Sequence, residues 1–257
     1  MNPLYRWPGA YRRRMAKWLG RRPYRLPTLG PTIAFTFDDF PRSSLLAGGA
    51  ILETAGLAGT YFTSFGLMAQ TTPTGEIFHR EDLDRLTAGG HELGCHTYNH
   101  YPAWETEPKI YEASVVKNKE TATSLLTAEP MTCHSYPISY PRPATKRRIA
   151  KYFTACRGGG QCINTGTVDL NYLSSFFIEQ CRGNFAAIEQ IVTANAEAGG
   201  WLIFSTHDVC ASPTRFGCTP AFFEQIVACS VRSGATILPM GTALQRMTGR
   251  PGAPAIR

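Results

Sequence analysis

The chain has 257 residues, of which 43% are hydrophobic and 18% are charged. This composition excludes a disordered or low-complexity protein, and the length suits one domain with its own core rather than two. The formal net charge is +7, and eight lysines and arginines precede the first acidic residue, Asp38. Subtracting these eight from +7 leaves −1, so the basic character belongs to an N-terminal arm and the remainder is near neutral.

The basic arm covers residues 1–30. Its cations alternate with aromatic side chains at Tyr5, Trp7, Tyr11, Trp18 and Tyr24. This composition is typical of segments that lie on an anionic membrane surface; the alternative is a solvated extension that packs its rings against the body, and nucleic acid is an unlikely partner. The arm has no apolar run of signal-peptide length, and no segment is apolar enough to span a bilayer. We therefore expect a cytoplasmic protein, at most peripheral to the membrane.

The first half of the chain alternates apolar runs with helical patterns. Residues 32–37 (TIAFTF) are apolar, β-branched and aromatic, which predicts a buried core strand. Ser43 and Ser44 are candidate caps of a helix that ends near Gly56. Beyond it, the pattern predicts strands at 59–65 and 91–95, and a helix at 81–88.

The second half continues this alternation. We predict helices at 110–126 and 144–152, a helix capped by Asn184, a helix capped by Thr219, and strands at 132–136, 153–157, 201–206 and 237–239. A repeated order of strand, helix and strand favours a largely parallel sheet. The eight cysteines show no CxxC pair, which argues against a zinc ribbon, and without an export signal we expect reduced thiols.

Polar side chains follow three of the predicted strands. Asp38 and Asp39 come after the first strand, His96 and His100 after 91–95, and His207 after 201–206. The carboxyl ends of parallel strands meet at one rim, so we expect these groups to lie together. His96 and His100 are four residues apart, and one helical turn would aim both the same way. Two imidazoles and one carboxylate suit a divalent metal, and the second carboxylate could then act as base.

The segments TFDD, GHELGCHTYNH and LIFSTHD, in this order, resemble the motifs of the NodB-homology polysaccharide deacetylases, carbohydrate esterase family 4. The resemblance runs from about residue 32 to about residue 244 and implies an α/β fold, a distorted, incomplete (β/α) barrel of about seven strands. It implies a deacetylase domain at 31–247, followed by a tail at 248–257.

The resemblance also assigns roles to the site residues. It implies that Asp38 is the catalytic base, that Asp39, His96 and His100 are metal ligands, and that His207 is the general acid. The expected metal is one divalent ion, zinc first, with cobalt, manganese, nickel or iron as alternatives. The expected reaction removes an N-acetyl group from an amino sugar or oligosaccharide and releases acetate.

The chain departs from the family pattern in its third motif. Where the family has an arginine and a tyrosine, this chain has Ser135 and Ile138. We expect Pro137 and the backbone of Ile138 to border the oxyanion or the substrate. Arg157, at the end of the next predicted strand, is the candidate to replace the arginine that orients the base.

Three further departures concern the pocket and the acid. Phe40 stands where the family has glycine, which predicts a narrower entrance, and Ser205 replaces a leucine, which predicts a more polar acetyl pocket. The acidic partner of the acid histidine has no clear counterpart, with Asp169 and Glu179 as candidates. These changes leave two alternatives open: hydrolysis of another C–N bond, as in a cyclic ureide or imide, and a non-catalytic carbohydrate-binding protein.

Overall fold

The computed structural model describes residues 6–126, 131–138, 140–181 and 183–249. The strands in these ranges are β1 (Pro23–Arg25), β2 (Thr32–Phe37), β3 (Thr60–Thr63), β4 (Thr71–Thr72), β5 (Gly75–Glu76), β6 (Glu92–Cys95), β7 (Cys133–Ser135), β8 (Ala155–Gly158), β9 (Thr167–Asp169), β10 (Leu173–Ser174), β11 (Phe176–Phe177), β12 (Trp201–Thr206) and β13 (Thr236–Ile237). The α-helices are α1 (Arg6–Trp18), α2 (Ala50–Thr54), α3 (Arg80–Ala88), α4 (Pro108–Leu125), α5 (Pro143–Ile149), α6 (Phe185–Ala198), α7 (Pro220–Arg232) and α8 (Met240–Thr248).

The main sheet is a nearly closed barrel of parallel strands. Its order is β10-β8-β7-β6-β3-β2-β12-β11, and β13 also pairs with β2. This confirms the distorted, incomplete (β/α) barrel. The path contains eight strands rather than about seven, because β10 and β11 are only two residues long and carry too little pattern to be recognised.

β2 and β12 are the longest strands described, and both have the bounds that the sequence predicts. They pair over six residues, from Trp201 opposite Thr32 to Thr206 opposite Phe37. Every residue of both strands is buried, as expected of parallel strands covered on both faces. This register brings the two carboxyl ends level, so Asp38 and His207 leave the sheet at the same rim.

The barrel has one seam, between β10 and β11. β10 pairs with β8 and β11 pairs with β12, but no ladder joins the two within the part of the chain described. Only Ser175 separates them in sequence, and its hydroxyl donates to the Gly158 carbonyl at 2.6 Å. The chain itself therefore crosses the gap.

The N-terminal segment packs against the barrel. β1 pairs with β9, and the Arg22 guanidinium donates to four carbonyl oxygens, among them Phe153 at 3.1 Å and Thr154 at 2.7 Å. The buried Lys146 ammonium donates to the Ala16 carbonyl at 2.6 Å. The arm is therefore an anchored helix and strand in its described part; Tyr5 and residues 250–257 of the predicted tail lie outside the described residues.

Most predicted elements are present, with two differences in the helices. The helix after Ser43 begins as a π-helical segment, Ser44–Gly49, before α2. α8 follows the last strand where no helix is predicted. None of the described helices has the length and apolarity needed to cross a bilayer. No disulfide is present among the described cysteines.

Candidate active site

The three predicted metal ligands converge at the carboxyl end of the barrel. Asp39 Oδ1 lies 3.0 Å from His100 Nε2 and 3.4 Å from His96 Nε2. One potential ligand atom from each residue lies within 4.8 Å of the other two. Asp39 follows β2 with φ +63°, a left-handed conformation that turns its carboxylate away from the strand direction. Adjacent aspartates can thereby serve different partners.

The loop after β6 presents the two histidines. Residues 96–100 are not helical, because Thr97 has φ +60° and His100 has φ +53°, so the predicted helical turn between the histidines is wrong. The Thr97 hydroxyl accepts a hydrogen bond from the Tyr101 backbone N–H at 3.0 Å. The Ser114 hydroxyl of α4 accepts two more backbone N–H groups of the loop. The two histidines are therefore brought together by a hydrogen-bonded loop and not by helical spacing.

Two outer contacts orient the ligands. The Ser135 carbonyl lies 2.8 Å from His96 Nδ1 and accepts a hydrogen bond from it. The lone pair of Nε2 is then available to a metal ion. Thr74, in the loop between β4 and β5, donates to Asp39 Oδ2 at 3.1 Å. Sequence reasoning missed both, since a backbone carbonyl has no residue signature and Thr74 lies in an unremarkable TTPTG turn.

The Asp39 carboxylate is held in the ionised form that a metal ligand requires. Burial opposes ionisation of Asp39, but the His100 and His96 imidazoles outweigh it and hold the pKa of the carboxyl well below its usual range. Burial lowers and Asp39 raises the pKa of His100, with a net increase. Asp39 Oδ1 is buried and makes no well-aligned hydrogen bond with the described residues. An anionic oxygen without a donor, facing two imidazole nitrogens, matches the ligand set of a mononuclear metal site.

Asp38 lies beside this group and pairs with Arg157. Arg157 Nη2 is 2.5 Å from Asp38 Oδ1, and both side chains are almost fully buried. Burial opposes ionisation of Asp38, but Arg157, with help from His96 and His207, lowers the pKa of the carboxyl. The structure therefore places Arg157 where the sequence expects the substitute for the missing motif arginine.

Ser205 contacts Asp38 as well. Its hydroxyl donates to Asp38 Oδ2 at 3.4 Å, and the residue is fully buried in β12. The sequence predicted a polar wall for an acetyl pocket at this position. The structure instead directs the hydroxyl to the carboxylate, so Asp38 receives donors on both oxygens.

His207 follows β12 and is held by the next loop. Its Nδ1 lies 3.2 Å from the Phe216 carbonyl, and the two rings are 5.4 Å apart. Asp208 braces this loop by accepting from the Thr214 backbone N–H at 2.7 Å and from the Thr214 hydroxyl at 2.5 Å. A neutral carbonyl therefore stands where the family pattern provides a carboxylate.

Asp169 is not the missing acidic partner. It accepts from Lys146 Nζ of α5 at 2.6 Å and from the Arg22 backbone N–H at 2.8 Å, so each of its oxygens is bound away from His207. The suggestion that Asp169 tunes His207 is therefore wrong. Glu179 lies in a short 3-10 helix, Ile178–Cys181, and its role stays a prediction.

Phe40 does not border the entrance, contrary to the sequence prediction. The residue is fully buried, with its ring 4.8 Å from Phe78 and 4.9 Å from Tyr61. Its φ of +57° turns the side chain into the core. A bulky residue at a glycine position implied an obstructed pocket, but the backbone turn buries the ring instead.

Pro137 and Ile138 lie in the loop after β7. Pro137 is buried, and its carbonyl accepts the Ala103 backbone N–H at 3.3 Å. Ile138 has φ +49°, and 58% of its surface is exposed. Both residues lie beyond the strand that supplies the Ser135 carbonyl to His96. Their contribution to substrate or oxyanion binding stays a prediction.

Comparison with known proteins gives one family and one fold. The family profile described as Polysaccharide deacetylase matches residues 25–155, about half of the chain. No curated protein sequence matches it significantly. A similar solved structure is the Xyl-CE4 domain of a multidomain xylanase from the hindgut metagenome of Trinervitermes trinervoides. Its TM-score is 0.60 at 16% identity, covering 89% of this chain and 96% of that one.

Two further structures share the fold. The family 4 carbohydrate esterase from Streptomyces lividans, in complex with acetate, gives a TM-score of 0.57 at 17% identity over 88% of this chain and 98% of that one. A CE4 family pseudoenzyme from Bacillus anthracis gives 0.58 at 12% identity over 86% and 68%. At these identities the likeness shows the fold alone.

The profile match includes β2 to β7 and the start of β8, and therefore the segments that carry Asp38, Asp39, His96 and His100. His207 lies outside the matched range, but the register of β12 with β2 brings it to the same rim. The chain belongs to the polysaccharide deacetylase family, carbohydrate esterase family 4.

Proposed function

We propose that this protein is a metal-dependent hydrolase that removes an N-acetyl group from an amino sugar in a saccharide, releasing acetate and a free amine. The observation that carries the proposal is the convergence of two differently supported carboxylates at one rim. Asp39 faces two imidazoles, whereas the adjacent Asp38 is paired with the buried Arg157. Asp39 can therefore bind a metal ion while Asp38 acts as a base, and metal-assisted amide hydrolysis uses both groups.

Asp39, His96 and His100 would hold one divalent ion. When bound, such an ion makes water more acidic and polarises the acetamide carbonyl. Zinc is the first expectation from two imidazoles and one carboxylate, and cobalt, manganese, nickel and iron accept the same ligands. The Ser135 carbonyl and the Thr74 hydroxyl keep the ligands oriented.

Asp38 would act as the base. Its lowered pKa keeps the carboxylate ionised at neutral pH, ready to accept the proton of the attacking water. Arg157 and Ser205 donate to different oxygens of this carboxylate and fix its direction. Their positions explain how the base stays oriented although the motif arginine is replaced by Ser135.

His207 would act as the general acid. In its protonated form Nδ1 donates to the Phe216 carbonyl, and Nε2 carries the proton that the leaving sugar nitrogen needs. The collapse of the tetrahedral intermediate then breaks the C–N bond and yields acetate and the amine. Acetate is also the molecule bound in the similar esterase from Streptomyces lividans.

The test is acetate release from a panel of N-acetylated oligosaccharides by purified protein supplied with zinc or cobalt. Asp38→Asn should remove turnover and keep the metal, whereas His96→Ala should remove both. His79→Ala is the matched control, because this histidine lies at the start of α3 and pairs with Glu76. Full turnover in Asp38→Asn would refute the assignment of the base.

The same experiment distinguishes the alternatives. A stoichiometric metal without acetate from any N-acetylated sugar would favour hydrolysis of another C–N bond, to be tested with cyclic imides. Neither metal nor turnover would favour a non-catalytic member, a class that exists in this fold, as the pseudoenzyme from Bacillus anthracis shows.

A further inference from the structure

One face of α1 is basic, exposed and separate from the proposed active site. The helix carries five basic and no acidic side chains. Successive residues of an α-helix are about 100° apart, which places Arg13, Arg14, Lys17 and Trp18 on one side. Each of the four is exposed, and 60% of Trp18 is accessible. We refer to these four residues as the basic face.

The opposite side of α1 fixes the direction of the basic face. Ala16 is fully buried, and its carbonyl accepts from Lys146 Nζ at 2.6 Å. The Arg12 guanidinium forms an ion pair with Glu105 and lies 5.4 Å from the Trp104 ring centre. Several contacts on one side thus hold the helix against the barrel, so the basic face points outward as a constant surface rather than a frayed tail.

Trp18 is unusual among the exposed groups of this protein. Its ring lies 5.7 Å from Lys17 Nζ and 5.8 Å from the Arg21 guanidinium, so two cations flank it. Tyr11, at the edge of the basic face, is 58% exposed. Exposed apolar side chains among cations have a poor environment in water, but they suit the headgroup region of a bilayer.

We propose that the basic face of α1 binds the surface of an anionic lipid bilayer. Charge complementarity supports this partner, since the helix has no carboxylate to repel lipid phosphates. The exposed rings of Trp18 and Tyr11 favour lipid over duplex nucleic acid, because contacts to duplex phosphates would use the cations and leave the rings in water. This goes beyond the proposed hydrolysis and does not depend on it.

The location of α1 gives this interaction a consequence for the active site. Tyr11 contacts Trp104 edge-on at 6.2 Å, and Arg12 pairs with Glu105. Both partners lie in the loop after β6 that begins with His96 and includes His100. A membrane bound to the basic face would therefore lie on the side of the barrel where this ligand loop is anchored, which suits a saccharide substrate attached to lipid.

The test is co-sedimentation of the full-length protein with phospholipid vesicles. Vesicles of phosphatidylcholine alone are compared with vesicles that contain phosphatidylglycerol, at low and high salt. We expect binding only to the anionic vesicles, weakened but not abolished by salt. The triple variant Arg13→Gln, Arg14→Gln, Lys17→Gln should bind roughly a hundredfold more weakly, because each cation near the surface contributes about fivefold and the three factors multiply.

A second triple variant is the matched control. Arg85→Gln, Lys109→Gln and Arg232→Gln remove three exposed cations from other helices and lower the net charge equally, from +7 to +4. It should bind like the parent, and circular dichroism checks that all variants fold. Trp18→Ala should remove the binding that survives in salt.

Three results would overturn the proposal. Equal losses in the two triple variants would mean that net charge, not the basic face, attracts the vesicles. Equal binding to the neutral vesicles would remove the role of charge. Binding to duplex DNA without binding to anionic vesicles would assign the basic face to nucleic acid. Since acetate release is not the readout, these results do not depend on the proposed reaction.

Discussion

Replacing Arg157 with methionine removes the guanidinium that pairs with Asp38 and keeps a long, unbranched side chain. Methionine can also retain contact with Phe62, over whose ring the guanidinium lies at 4.6 Å. Only 1% of the Arg157 side chain and 6% of the Asp38 side chain are exposed, so the remaining carboxylate stays buried without its cation. Breaking a buried pair in this way costs about 3–5 kcal/mol of the free energy of unfolding.

The loss should depend on pH. In the parent protein the pKa of Asp38 is lowered, so its contribution to stability is present above the unfolded pKa and is lost as pH falls through the folded pKa. Without Arg157, the effect of burial is opposed only by the weaker influence of the histidines, and the pKa rises. The variant then loses stability at neutral pH, where the buried carboxylate must ionise. The difference from the parent narrows in acid.

Urea unfolding followed by circular dichroism measures this effect, with a chelator present so that no metal charge contributes near Asp38. The control is the double variant Asp38→Asn, Arg157→Met, which removes both charges and should be about 2 kcal/mol more stable than Arg157→Met alone. Equal stability of Arg157→Met and the parent at neutral pH would refute the reasoning. Unchanged acetate release by Arg157→Met would refute the positioning role of Arg157.

Three other substitutions test particular contacts. Phe40→Ala should lower the free energy of unfolding in urea by about 3–5 kcal/mol, since the ring is fully buried, and should not raise kcat; a faster enzyme would mean that the ring borders the entrance. Thr74→Val should weaken zinc binding about 10- to 100-fold in competition with a chelating dye, and unaltered affinity would contradict its outer contact with Asp39. Asp208→Asn should loosen the loop behind His207, because it weakens the contacts with Thr214, and steady-state kinetics of acetate release should show a lower kcat with little change in KM. A rise in KM as large as the fall in kcat would instead indicate altered substrate binding.

The sequence predicts the long strands of the barrel better than the short strands at its seam. β2 and β12 consist mostly of apolar and β-branched residues, as expected of strands that are buried on both faces. β10 and β11 have two residues each, too few for any period. α8 begins Met-Gly-Thr, without a capping side chain, and was not recognised for that reason.

The candidate site shows the same division. The five groups at strand ends could be predicted to meet because parallel strands share a rim, and the structure brings them together. The local conformation could not be predicted in this way. Phe40 and His100 both adopt left-handed conformations, which hydrophobic patterns do not encode. The Phe40 ring is therefore buried instead of bordering the entrance, and the segment from His96 to His100 is not helical.

Backbone partners are also invisible to a reading of side chains. His96 and His207 are each oriented by a carbonyl oxygen, from Ser135 and Phe216. Any residue type could supply these oxygens. The contact of Arg157 with Asp38 could be predicted because an arginine at a strand end is a visible signal, whereas these two contacts depend on how loops close in space.

The seam between β10 and β11 has a mechanical consequence. Two strands that lack a shared ladder could separate, yet here only Ser175 lies between them in the chain, and the Asn164 side chain donates to the carbonyls of Ser174 and Trp201, on either side of the seam. Neighbouring Cα atoms are about 3.8 Å apart, so this tether limits how far the edges can move from each other. The edges of the seam are therefore held by the covalent chain and by side-chain hydrogen bonds rather than by strand pairing, and a peptide-bond break at Ser175 would remove the covalent part of this restraint.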